Sequence, residues 1–359
     1  MSDRRNTGFL VGAGLLAACL FGAATPASKM LLHDVEPQAL AGLLYIGAAI
    51  GVLPILLRER SFCLPWRAGR RTSLLLAGAI VSGGVLGPWL LLLGLRVARS
   101  GSVSLLLSLE LVATVLLGRL LFREHLSARG WFGAAGTLAA AVLLAAGEGS
   151  AGVLAALLVG AGCLCWGFDN HFTALIDGIT PAQTTLWKGV VAGLFNLTVG
   201  GAVLGGVGNA TSAVLALVVG AFAYGISIAL YITAAQGLGA SRSQMVFSVA
   251  PFFGVILSLL FLGETFTGVQ AGAAALVGGS LVLLFSERHG HVHRHDRMVH
   301  HHWHRHDDDH HNHEHAGARA PTAHAHSHSH EAEEHEHVHW PDLHHRHSHE
   351  NGDQRGSSD

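Results

Sequence analysis

Four ionisable side chains interrupt long apolar stretches: Lys29, Glu110, Asp169 and Lys188. An ionised group inside a bilayer is costly, so each is a candidate for handling a solute or an ion. Two are acidic and two basic, which would let them neutralise one another in one cavity. Asp169 and Lys188 are the natural pair. The turn between their stretches centres near Ile179, ten residues after Asp169 and nine before Lys188. In an antiparallel hairpin, equal distance from the turn means equal depth, roughly 6–10 Å inside the helix ends at about 1.5 Å per residue. Such a pair either fixes the hairpin or takes part in transport. Glu110 falls close to the middle of its apolar stretch, 101–122. A carboxyl in a low-dielectric cavity can trade a proton near neutral pH, which proton coupling requires. The plainer role is a hydrogen bond to a neighbouring helix.

The densest polar cluster in the apolar body runs from Trp166 through Asp169 and Asn170 to His171. Trp166 and Asn170 are four apart and share a helix face. Asp169 and His171 point about 200° apart, so they cannot clamp one metal ion on a regular helix. The cluster suits a cavity for a polar organic solute, or hydrogen bonds between helices. Asn196, Gln236 and Gln244 are weaker candidates for the same work. Glu124 and Glu264 sit at the ends of apolar stretches, where a helix-end anchor is the plain reading. Ala79, Gly83 and Gly87 recur every four residues, as packing between helices favours. Gly83-Gly84 and Gly87-Pro88 also predict a break that frees backbone groups.

A different chemistry belongs to the C-terminal end, where 24 of the 27 histidines lie after residue 288. They alternate with other residues: His289, His291, His293 and His295, then His324, His326, His328 and His330, then His335, His337 and His339. An extended chain puts alternate residues on one side, so each run offers several imidazoles to one ion. Neutral imidazole suits zinc, nickel, copper and cobalt. The same composition also describes a disordered tail whose charge swings with pH.

These residues sit in a chain of 359, of which only 13% are charged and 50% hydrophobic. A soluble domain carries about 25% charged residues, so an ordinary soluble enzyme and a nucleic-acid binder are both excluded. The four cysteines imply no disulfide framework. Ten apolar stretches are long enough to span a bilayer: 8–32, 39–57, 73–95, 101–122, 130–147, 152–175, 183–204, 213–235, 243–262 and 268–286. The arginines between them, such as Arg58, Arg60, Arg67, Arg70, Arg71, Arg119 and Arg129, gather on one side. By the positive-inside rule that side is cytoplasmic, and both termini lie there. The expected setting is a bacterial-type inner membrane. Arg4-Arg5 followed by an apolar run and Ala23-Ala24-Thr25-Pro26-Ala27 could pass for a signal peptide, but the run continues past Lys29 to Leu32.

Ser108, Val115, Leu117, Leu120 and Glu124 recur 140 residues later as Ser248, Val255, Leu257, Leu260 and Glu264. Five spans per copy is odd, so the second copy would be inverted, a common plan of secondary transporters. The expected fold is therefore an all-α polytopic membrane protein: repeats at 1–147 and 148–286, then a disordered His-rich tail at 287–359. The chain resembles the EamA-type drug/metabolite transporter superfamily over residues 8–286. Leu109-Glu110, Arg123-Glu124, Ala250-Pro251, Leu262-Gly263-Glu264, Phe21-Gly22 and Trp166-Gly167 carry the resemblance. Leu111 stands where that family often has proline. The resemblance implies a secondary transporter of a small organic metabolite, acting as an exporter. A divalent-metal transporter fed by the tail is the second reading, and a non-transporting metal buffer the third. No nucleophile–base constellation occurs in the loops, which argues against an enzyme. No cofactor is required; the expected partners are lipid, a small solute and divalent metal on the tail.

Overall fold

The apolar stretches become helices, four of which start at a side-chain cap among the described residues: Glu36, Ser127, Thr180 and Asn209. The computed structural model describes residues 2–59, 62–121, 127–176, 178–238 and 245–285, and in the tail 289–295, 298–305, 323–330 and 333–339. The side chains of 2–7, 203, 235–238 and the tail lie outside that description. The helices are α1 (Ser2–Leu31), α2 (Pro37–Leu56), α3 (Arg70–Val97), α4 (Ser100–Leu121) and α5 (Ala128–Gly147). They continue as α6 (Gly149–Ala174), α7 (Pro181–Thr198), α8 (Ala210–Ala234), α9 (Met245–Leu262) and α10 (Gly268–Phe285). Glu36 opens α2, its carboxylate accepting from the Gln38 N–H at 2.8 Å ahead of Pro37. Thr180 opens α7 and Asn209 opens α8 in the same way, through side-chain oxygens. Each satisfies a backbone donor that the first turn leaves unpaired.

Among the described residues, nine of these helices are long and apolar enough to cross a membrane. The expected seventh span, α7, is not among the nine. Gln183, Thr184, Thr185, Lys188 and Asn196 make it the most polar of the set. It still packs along α2, where glycines let the backbones approach closely.

The packing has internal symmetry. α2 packs on α7, α4 on α9 and α5 on α10. α1 packs on α8 and α9, as α6 packs on α3 and α4. The irregularities repeat as well. α3 contains a seven-residue π-helical segment, Ile80–Leu86, and α8 contains another, Gly220–Ile226. They begin 140 residues apart, the spacing of the sequence repeat. α4 loosens into a turn at Leu107–Ser108 and α9 at Ser248–Val249. The fourth helix is thus loosened without a proline at position 111.

Residues 288–359 form a separate unit. Where composition predicts disorder, this unit has four short strands: β1 (His289–His295), β2 (Met298–Arg305), β3 (Ala323–His330) and β4 (Glu333–His339). β1 pairs antiparallel with β4, and β2 with β3. The alternation of histidine with a second residue is itself the period-two pattern of a strand. The register sets His289 opposite His339, His291 opposite His337 and His293 opposite His335.

Candidate functional site

The breaks in α4 and α9 open the bundle. Beside them lies a cavity of about 470 Å³. Phe21, Gly22 and Thr25 of α1 line it, with Ser108, Glu110, Leu111 and Thr114 of α4. α6 adds Asn170, α8 adds Tyr231, and α9 adds Phe247, Ser248, Ala250 and Pro251. Asn170 Nδ2 donates to Glu110 Oε1 and to Thr114 Oγ1, each at 3.1 Å. The next residue, His171, is buried, with Nε2 3.0 Å from the Thr114 carbonyl oxygen. Helix α6 therefore grips α4 at one level, and that grip holds Glu110 in the cavity wall. Ser108 Oγ is buried with no hydrogen-bond partner among the described residues. Three aromatic rings form one side: Phe247 lies 5.3 Å from Phe21 and 5.0 Å from Tyr231, centroid to centroid.

A second polar group lies away from that lining. Lys188 Nζ contacts Asp169 Oδ2 at 2.5 Å and Oδ1 at 2.7 Å, and Thr173 Oγ1 donates to Oδ1 at 3.0 Å. The hairpin pair read from the sequence is formed. It is packed against the π segment of α3, where any Cβ on Gly83 would collide with the Asp169 carboxylate. Trp166 and Asn196, expected at the cavity, belong here instead. Trp166 Nε1 donates to the Gly83 carbonyl at 3.0 Å, and Asn196 Nδ2 to the Gly84 carbonyl at 2.9 Å. Tyr45 donates its hydroxyl to the same Gly83 carbonyl at 2.5 Å. A π segment shifts its hydrogen-bond register, and buried carbonyls there need partners. These three side chains supply them.

Lys29 is also apart from Glu110. It donates to the carbonyls of Leu95 at 2.6 Å and Ala98 at 2.9 Å, capping the C-terminal end of α3. A cation there complements the helix dipole. Glu264 accepts from the N–H groups of Ser100, at 2.7 Å, and Gly101, at 2.9 Å, which start α4. Glu148 accepts from the Ser102 hydroxyl and from the Arg99 N–H. These groups line a cavity of about 710 Å³ at the α3–α4 end. Glu264 is thus the helix-end anchor its position suggested.

Sequence reasoning missed Phe21 as a ring, Tyr231 and Phe247 in the wall, and Tyr45 and Glu148 in the bracing. Tyr45 carried a signal: a tyrosine inside an apolar stretch needs a partner for its hydroxyl. Gln244 and Glu124 lie outside the described residues, as does the side chain of Gln236. So do the side chains of the tail histidines: His289, His291, His293, His295, His324, His326, His328, His330, His335, His337 and His339. Among the described residues no group of three His, Cys, Asp or Glu could hold a metal ion.

The model of the EamA-like transporter family matches this chain twice, over residues 8–146 and 153–286. An uncharacterized transporter of Methanothermobacter thermautotrophicus is 28% identical over 287 residues, covering 74% of this chain and 83% of that protein. A crystal structure matches with a TM-score of 0.53 at 18% identity, over 78% of this chain and 97% of that one; at that identity it speaks for the fold alone. Together with the helical bundle and its polar cavity, the two matched segments place the chain in the EamA-like transporter family, as a multi-pass membrane transporter.

Proposed function

We propose that this protein is a secondary transporter that exports a small organic solute across the inner membrane through the cavity at Glu110. The observation that carries this reading is the makeup of the cavity. Both family-matched segments contribute to it, through Phe21, Gly22 and Glu110 on one side and Asn170, Ala250 and Pro251 on the other. Substrate sites of inverted-repeat transporters lie near the midplane where the repeats meet. The symmetric packing and the paired π segments support two five-helix repeats, 1–147 and 148–286, with α7 as the tenth span. With the arginine-rich loops inside, both termini are cytoplasmic. Glu110, held by one amide and open to the cavity, is the group that would exchange a proton to couple transport.

The tail, 287–359, acts in this reading as a divalent-metal-binding regulator outside the translocation path. Its histidine density supports the binding. Inside-out vesicles from expressing cells separate this from metal transport. Incubated with a mixed metabolite pool, they should accumulate an organic solute, and truncation after Glu287 should leave that accumulation in place while altering its response to added zinc. Zinc, nickel or cobalt flux that vanishes on truncation would replace the organic-solute reading with metal transport. Calorimetry should also show the full chain losing metal on acidification below about pH 6, because imidazolium cannot coordinate.

A further inference from the structure

We infer that the cargo is an organic cation: a protonated or quaternary amine carried on a small apolar or aromatic body. This deepens the transporter reading above and rests on it. Among the described residues lining the cavity, Glu110 is the only carboxylate, and none is a lysine, arginine or histidine. The nearest lysine along this hairpin, Lys188, is already committed to both oxygens of Asp169, at 2.5 and 2.7 Å, outside the lining. Lys29 is committed to backbone carbonyls at the α3–α4 end. Neither lysine therefore stands in the cavity lining beside Glu110. A cation would balance its charge in a poor solvent; an anion would meet like charge.

The aromatic part of the lining favours a cation independently of charge balance. Phe21, Phe247 and Tyr231 all line the cavity as one cluster of mutually tilted rings, with neighbouring centroids 5.3 and 5.0 Å apart. The faces of such rings carry negative potential and attract ammonium groups, most strongly when water is excluded. A ring or alkyl body can lie against the same surface. Ser108 adds to this. Its buried hydroxyl has no described partner and lines the same space, so it can accept from a substrate N–H. Asn170 meanwhile holds Glu110 Oε1 at 3.1 Å and fixes the carboxylate orientation. The volume of about 470 Å³ suits a small organic molecule.

Three probes of similar size separate the charge types: benzyltrimethylammonium, 2-phenylethanol and 3-phenylpropionate. Calorimetry on the full chain in lipid nanodiscs should rank them in that order, with the cation at least tenfold tighter than the alcohol. Glu110→Gln should weaken the cation tenfold or more and leave the alcohol within twofold, which also shows that the cavity is intact. Phe247→Ala should weaken cation and alcohol alike, by several-fold. Equal or tighter binding of the carboxylate, or a cation affinity unmoved by Glu110→Gln, overturns the inference. Uptake into proteoliposomes distinguishes the two levels. Uptake of labelled phenylpropionate without the ammonium sinks the cation inference and leaves the transporter reading standing. Uptake of no probe and of nothing from a mixed metabolite pool sinks both.

Discussion

Asp169 is held by Lys188 and rests against Gly83 of another helix. Its pairing with Lys188 follows from equal distance to the turn, and the ion pair is present at 2.5 Å. What spacing could not show is that the pair rests on Gly83 of another helix, because that contact depends on how α3 lies against α6. Removing one partner of a buried pair leaves a lone charge, at a cost of about 3–5 kcal/mol. Asp169→Asn should therefore lower the folded yield and the transport rate together. The exchange Asp169→Lys with Lys188→Asp should restore part of both, since the pair is remade in reverse. Full activity of the single variant, measured as solute uptake per folded molecule, would remove the pair from any essential role. Glu110 was legible for a different reason: a carboxylate at mid-depth is conspicuous in an apolar stretch. Its aromatic neighbours were not, because Phe21, Tyr231 and Phe247 look like ordinary bilayer-facing residues in a sequence.

At the scale of elements, the π segments are the features that organise the bundle. Gly83-Gly84 and Gly87-Pro88 announced a disturbance in α3, and the structure places Ile80–Leu86 there as a π helix. The partners that satisfy it come from three other helices: Tyr45 of α2, Trp166 of α6 and Asn196 of α7. Trp166 and Asn196 read as cavity linings from the sequence because a polar group in a membrane helix has two uses. It can face a solute or satisfy a neighbour's backbone, and only the fold decides which. Glycine makes the arrangement possible, since a Cβ at Gly87 would lie 2.8 Å from Trp166 Nε1. Trp166→Phe keeps most of the packing and removes the donor to the Gly83 carbonyl. A buried acceptor that loses a partner costs about 1–3 kcal/mol. The variant should melt earlier in detergent, yet bind the cavity's cargo with little change. A large loss of affinity with unchanged melting would place Trp166 in the binding wall instead.

For the whole molecule, the apolar stretches were readable because bilayer thickness imposes length and apolarity on a spanning helix, and among the described residues nine helices meet that requirement. α1 against α8 and α9 mirrors α6 against α3 and α4, although few side chains are shared between the halves. The tail remained the hardest part to read, since alternating histidines serve a disordered segment and a strand equally well. If a solute crosses through the cavity at Glu110, blocking that cavity must stop transport. In a background lacking the four native cysteines, Ser108→Cys places a thiol in the cavity wall. Uptake of the accumulated solute into proteoliposomes is then measured before and after reaction with a bulky thiol reagent, with bound cargo present as a protectant. Labelling should abolish uptake, and cargo should slow the labelling. Uptake that continues unchanged through a fully labelled cavity would contradict a path through it.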